Sequence, residues 1–147
     1  MVLNVFLVED SAAQCAYLTQ ILTAEANVAV VGNAETEQQA VSWLEHNPSR
    51  WDIALVDLFL GDGSGVGVLE HCRNRCSGQR VLVMTNHARD DQLLRHCQRL
   101  GADAVYHKAT QLDSLVAYCK AMADNMPRCP ARLMAGTRRQ ANCPAHA

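Results

Sequence analysis

Ile53-Ala54-Leu55-Val56-Asp57 is a stretch in which four apolar residues run without interruption into a carboxylate. Three further runs end the same way on a polar group. Val5-Phe6-Leu7-Val8 leads into Glu9-Asp10, Val81-Leu82-Val83-Met84 into Thr85, and Ala104-Val105-Tyr106-His107 into Lys108. Read as parallel strands, the four place their carboxyl ends along one edge of one sheet, where open α/β sheets hold their ligand sites. Three carboxylates, a hydroxyl and an ammonium then converge on one pocket. Such a set suits a divalent cation and phosphoryl chemistry.

Helical periodicity fills the intervals. Ser11-x-x-Gln14 and Thr36-x-x-Gln39 read as capping boxes, opening helices that end near Glu25 and, ahead of Pro48, near His46. Strands are expected at 28–33 and 52–57. The turn-rich stretch from Phe59 to Gly65 leads into a helix ending about Arg75, with Leu69, Cys72 and Cys76 on its apolar face. A strand at 80–84, a helix at 89–100 closed by Gly101, a strand at 104–107 and a last helix capped by Thr110 and ending near Ala123 complete the pattern. Five strands alternating with five helices specify an α/β fold, a doubly wound five-stranded parallel sheet.

With 147 residues, 49% of them hydrophobic, the chain supports one domain with a full core. Residues 1–124 form that domain. Residues 125–147, with three prolines, four arginines and no acidic residue, read as a mobile basic tail in which residues 131–135 are the one candidate for a short helix. No apolar stretch approaches the roughly 18 residues of a membrane span, and the first residues lack a basic n-region, so a soluble, cytoplasmic protein is expected. The net charge of −2, without a basic block longer than two residues, argues against direct nucleic-acid contact, and no helix-turn-helix output domain is expected after Ala123. The seven cysteines fall largely at core-facing helical positions, which fits reduced thiols acting as small hydrophobes. His71, Cys72, Cys76 and the His96-Cys97 pair lack the second ligand pair that a zinc site needs.

The order and spacing of Glu9-Asp10, Asp57, Thr85, Tyr106 and Lys108, with Gly65 eight residues past Asp57, resemble the receiver domain of two-component response regulators over about residues 3–123. That resemblance implies the flavodoxin-like (βα)5 sheet order 2-1-3-4-5. It implies a stand-alone receiver in which Asp57 takes a phosphoryl group from the phosphohistidine of a histidine kinase. Mg²⁺ is the implied cofactor, held by Asp10, Asp57, the backbone carbonyl of Phe59 and Glu9 through water. Lys108 and Thr85 serve the phosphoryl oxygens, and Thr85 with Tyr106 forms the switch. The face made by the fourth helix, fifth strand and fifth helix is then the output surface, for an effector or a second copy of the chain. Relay to a histidine phosphotransfer protein, a phosphate sink, and a phosphate-independent scaffold are the alternatives.

Some positions depart from the family pattern. Gly61 replaces a common proline, which suggests a looser loop; Asn86 and Ala109 are also unusual, and Phe59, Asn86 and His87 flank the mouth of the site. Haloacid-dehalogenase-like phosphatases need a second carboxylate where Phe59 stands, so a phospho-accepting regulator is expected rather than a turnover enzyme. A flavodoxin-like electron carrier would meet Glu9-Asp10-Ser11, which repels a flavin phosphate.

Overall fold

The computed structural model describes residues 2–86 and 91–125. His87, expected at the mouth of the site, the start of the fourth helix at Arg89, and nearly all of the C-terminal tail lie outside the described residues.

Strands β1 (Leu3–Val8), β2 (Val28–Ala34), β3 (Ile53–Asp57), β4 (Arg80–Thr85) and β5 (Ala104–His107) form one parallel sheet in the order β2-β1-β3-β4-β5. Burial explains the apolar runs. β3 is buried at every position and β1 and β4 at all but one, because helices cover both faces, whereas the edge strands β2 and β5 are mostly half-buried. Alternation along each strand divides the core in two. Phe6, Val8, Ala54, Val56, Val81 and Val83 point toward helices α2 (Glu37–His46), α3 (Gly65–His71) and α4 (Asp91–Arg99). Val5, Leu7, Ile53, Leu55, Leu82 and Met84 point toward α1 (Ala12–Glu25) and α5 (Leu112–Asn125). On the first side Trp43 of α2 stacks on Phe6, with centroids 4.1 Å apart.

Local chemistry sets the helix starts. The hydroxyls of Ser11 and Thr36 accept the backbone N–H groups of Gln14 and Gln39, as capping boxes require, but Gln39 returns its Oε1 to Glu35 N rather than to its own cap. Gly101 closes the α4 end at φ +98°.

Two boundaries differ from the sequence reading. The third helix stops at His71 and continues only as a 3-10 turn, Cys72–Asn74, because the Cys72 carbonyl is taken by both the backbone N–H and the guanidinium of Arg75. Cys76 therefore lies beyond the helix, buried, with its N–H on Gln79 Oε1. The last helix begins at Leu112, two residues after Thr110, and its first carbonyl acceptor is Gln111.

Among the described cysteines, Cys15, Cys72, Cys97 and Cys119 are free thiols. Burial pushes the Cys72 and Cys119 thiols up to about 12. No helix among the described residues is long and apolar enough to cross a membrane.

At the amino-terminal edge of the sheet, Arg75 acts as a tether. Its guanidinium donates to the carbonyls of Gln79, Cys72 and Gly101 at 2.8–3.0 Å and to Asp103 Oδ2 at 2.9 Å. Asp103 Oδ2 also accepts Val81 N, so this knot ties the turn after α3, the start of β4 and the turn before β5 together.

Candidate functional site

The carboxyl ends of β1, β3, β4 and β5 bring the expected side chains together. Parallel pairing puts Val8 beside Val56, Asp57 beside Met84 and Thr85 beside His107, so the residues that follow each strand share one edge. Lys108 Nζ donates to Glu9 Oε1 at 2.7 Å and to Asp57 Oδ2 at 3.0 Å. Both carboxylates are nearly fully buried, Glu9 at 2% and Asp57 at 4% exposure, while Asp10 is exposed at the mouth. One oxygen from each of Glu9, Asp10 and Asp57 lies within 4.8 Å of the others, and among the described residues these are the only His, Cys, Asp or Glu side chains grouped closely enough to hold a metal. The zinc alternative through His71, Cys72, Cys76 and His96-Cys97 thus has no geometric basis there.

Three further carboxylate oxygens are engaged by backbone. Asp57 Oδ1 accepts Phe59 N at 3.1 Å, Glu9 Oε2 accepts Ser11 N at 3.0 Å, and Asp10 Oδ2 accepts Gly61 N at 2.7 Å. The last bond reverses the expectation of a looser loop. Proline has no N–H to give, so the glycine in its place allows the loop to fasten onto Asp10.

Three carboxylates face one ammonium. Burial raises the Glu9 pKa above the usual carboxylate range, against the pull of Lys108 and the Ser11 N–H. For Lys108 burial works downward, but the hydrogen bonds to Glu9 and Asp57 outweigh it, and its pKa is raised. Lys108 is therefore held as a cation in the pocket.

Thr85 is fully buried, and its carbonyl accepts Lys108 N at 3.1 Å, which locks the end of β4 to the residue that carries the ammonium. Tyr106, paired with Met84, is half-buried against the α5 side of the core, where burial raises its phenol pKa. The Phe59 ring is exposed at 53%, its backbone pairs in an isolated antiparallel bridge with Ser64, and Asn86 is exposed beside Thr85. The sequence reading missed the Gly61 N–H and the grip of Glu37 on Ser64 N, 2.8 Å long. Backbone donors leave no composition signal, and an acidic residue in a first helical turn reads as a dipole partner.

An oxygen-rich, net-negative pocket with a fixed lysine thus lies at the carboxyl edge of a doubly wound sheet, where α/β proteins of this class hold their ligand sites. Comparison with known proteins narrows the class. The profile described as "Response regulator receiver domain" matches residues 5–120, and the chain belongs to that family. The chain is 30% identical over 91 residues to the DNA-binding transcriptional activator DevR/DosR of Mycobacterium tuberculosis, a match covering 62% of this chain but only 41% of that protein. Its fold resembles the response regulator domain of Thermotoga maritima CheB, with a TM-score of 0.73, 19% identity and coverage of 86% of this chain and 100% of that one. It also resembles a chain of the CheX-CheY-BeF3-Mg complex of Borrelia burgdorferi, with a TM-score of 0.72, 23% identity and coverage of 83% and 88%.

Proposed function

We propose that this protein is a phosphorylation-driven signalling receiver in which Asp57 takes a phosphoryl group from the phosphohistidine of a histidine kinase. The observation that carries the reading is the Lys108 ammonium bridging two buried carboxylates, with Asp10 in reach of both.

In the reaction an Asp57 oxygen attacks phosphorus in line; the O–P bond forms as the P–N bond breaks, and the imidazole leaves with the electron pair. Phe59 N–H keeps the Asp57 carboxylate oriented through Oδ1. Lys108, already on Oδ2, moves its donor bond to a phosphoryl oxygen. The all-oxygen donor set, with Asp10 exposed at the mouth, fits Mg²⁺, which Asp10, Asp57, the Phe59 carbonyl and Glu9 would hold. When bound, Mg²⁺ neutralises charge shared between carboxylate and phosphoryl oxygens.

Thr85 then donates to a phosphoryl oxygen and vacates space toward which Tyr106 turns. Lys108 only exchanges one charged acceptor for another, so the Thr85 bond, at about 1.5–3 kcal/mol, shifts a two-state equilibrium by about one to two decades. The face of α4, β5 and α5 passes that shift to an effector or to a second copy of the chain. Phe59 and Asn86 at the mouth tune how fast water reaches the acyl phosphate. The protein acts as a regulator in the cytoplasm, with Phe59 standing where a phosphatase would carry its acid.

Intact-mass spectrometry after incubation with acetyl phosphate tests the reading. One added phosphoryl group is expected on the wild type with Mg²⁺, and none after chelation or in Asp57→Asn. A wild type that stays unmodified while folded counts against the proposal.

A further inference from the structure

Glu37 stands in the first turn of α2, twenty residues before Asp57 and outside the metal-site group. Its backbone N–H donates to Asp62 O at 3.2 Å, and its Oε1 accepts Ser64 N at 2.8 Å. The carboxylate occupies room left by two missing side chains. A Cβ on Gly63 would fall 2.5 Å from Glu37 Cβ, and one on Gly67 would fall 2.0 Å from Glu37 Oε2. Gly63 also has φ +88°, which a side chain would oppose.

So α2 grips the far end of the segment that follows Asp57, while the site holds the near end through Phe59 N on Asp57 and Gly61 N on Asp10. Phe59 and Ser64 are bridge partners, which makes the path from Glu37 to the Phe59 backbone two contacts long.

We propose that Glu37 is a positioning residue of the phospho-acceptor pocket: by holding Ser64 it fixes the backbone of Phe59 and Gly61, and through them the orientation of Asp57 and Asp10. The proposal rests on the reading of the pocket given above. Glu37 itself touches no reacting atom. Its pull is exerted on the two N–H groups that aim the carboxylates, and a loop released at Ser64 spends less time with both bonds made. Changing a residue that directly orients a metal ligand typically weakens metal binding about 10–100-fold; Glu37 acts one step further out, so about three- to tenfold is expected.

The test uses four variants of the full chain. In ¹⁵N-labelled protein without metal, Glu37→Ala is expected to move the amide resonances of Phe59, Gly61 and Ser64, and in a Mg²⁺ titration to raise the Kd about three- to tenfold. Glu37→Gln keeps a carbonyl oxygen for Ser64 N and is expected to stay near wild type. Gly67→Ala, whose new Cβ expels the carboxylate, is expected to reproduce Glu37→Ala. In the Glu37→Ala background the same glycine change meets no carboxylate and is expected to do no further harm.

A fall in melting temperature with unmoved Phe59 and Gly61 amides and an unchanged Mg²⁺ Kd would reduce Glu37 to a fold contact and overturn the proposal. So would additive effects of Gly67→Ala and Glu37→Ala. If the wild type bound no Mg²⁺ and took no phosphoryl group, the reading of the pocket would fail, while the amide shifts of the metal-free variants would still decide whether Glu37 positions the loop.

Discussion

The two ends of the sheet each hold a half-buried cation among carboxylate and carbonyl oxygens, and they are built to opposite ends. At the amino-terminal edge Arg75 gives its protons to three backbone carbonyls and one carboxylate, Asp103, so within this knot one cation meets one carboxylate. At the carboxyl edge Lys108 faces Glu9 and Asp57, with Asp10 close by, and negative charge is in excess. A balanced knot is complete and serves the fold. An unbalanced one is incomplete, and in the proposed reading a bound cation supplies the missing charge.

The largest effect that separates the two is removal of the tether. Arg75→Ala is expected to cost about 2–3 kcal/mol in urea denaturation, since several acceptors lose their donor at once, and to leave phosphoryl acceptance per folded molecule unchanged. Loss of acceptance with stability intact would invert the comparison.

Next in size is the response to cation. At ten times its Kd, Mg²⁺ is expected to stabilise the wild type by about 1.4 kcal/mol, and Arg75→Ala by as much, with Asp57→Asn responding less. Thermal unfolding with and without Mg²⁺ measures all three.

The same chemical change should then carry opposite signs at the two edges. Asp57→Asn relieves like-charge repulsion and is expected to gain about 1 kcal/mol, whereas Asp103→Asn weakens the bonds to Arg75 and Val81 and is expected to lose about 1 kcal/mol. Equal signs would show that the carboxyl edge is not strained by its charge.

Much of this contrast was legible in the chain, but unevenly. The strands stood out because burial on both sides makes them continuous in apolar character, and their polar ends located the pocket. The sheet order came from the family resemblance, since many orders share one pattern of alternation. Ser11 and Thr36 were readable as caps because their partners lie three residues away. Thr110 was misread because nothing local distinguishes it from Gln111. The Arg75 knot and the Glu37 grip were invisible: they reach backbone atoms 26 and 27 residues away, and every residue carries such atoms. Gly61 was read as a missing ring, when what matters is the N–H it restores.

The smallest effect lies in the core between the two edges. Burial holds the Cys72 and Cys119 thiols up to about 12, so a thiol reagent is expected to label half-buried Cys15 first and the other two only on unfolding. The sign for stability follows. With native pKa values above the unfolded value of about 8.5, these thiols contribute stability that is fully present below that pH and is lost as pH rises toward 12. Unfolding free energy measured up to about pH 11 should fall, and fall less in Cys72→Ala.

The most direct test of the central claim is to locate the phosphoryl group. Protein treated with Mg²⁺ and acetyl phosphate is reduced with borohydride, which converts an aspartyl phosphate to homoserine, and its peptides are mapped by mass. Homoserine is expected at position 57 alone, and only when Mg²⁺ was present. Reduction at another carboxylate, or at none in a protein that is folded and binds Mg²⁺, would contradict the account.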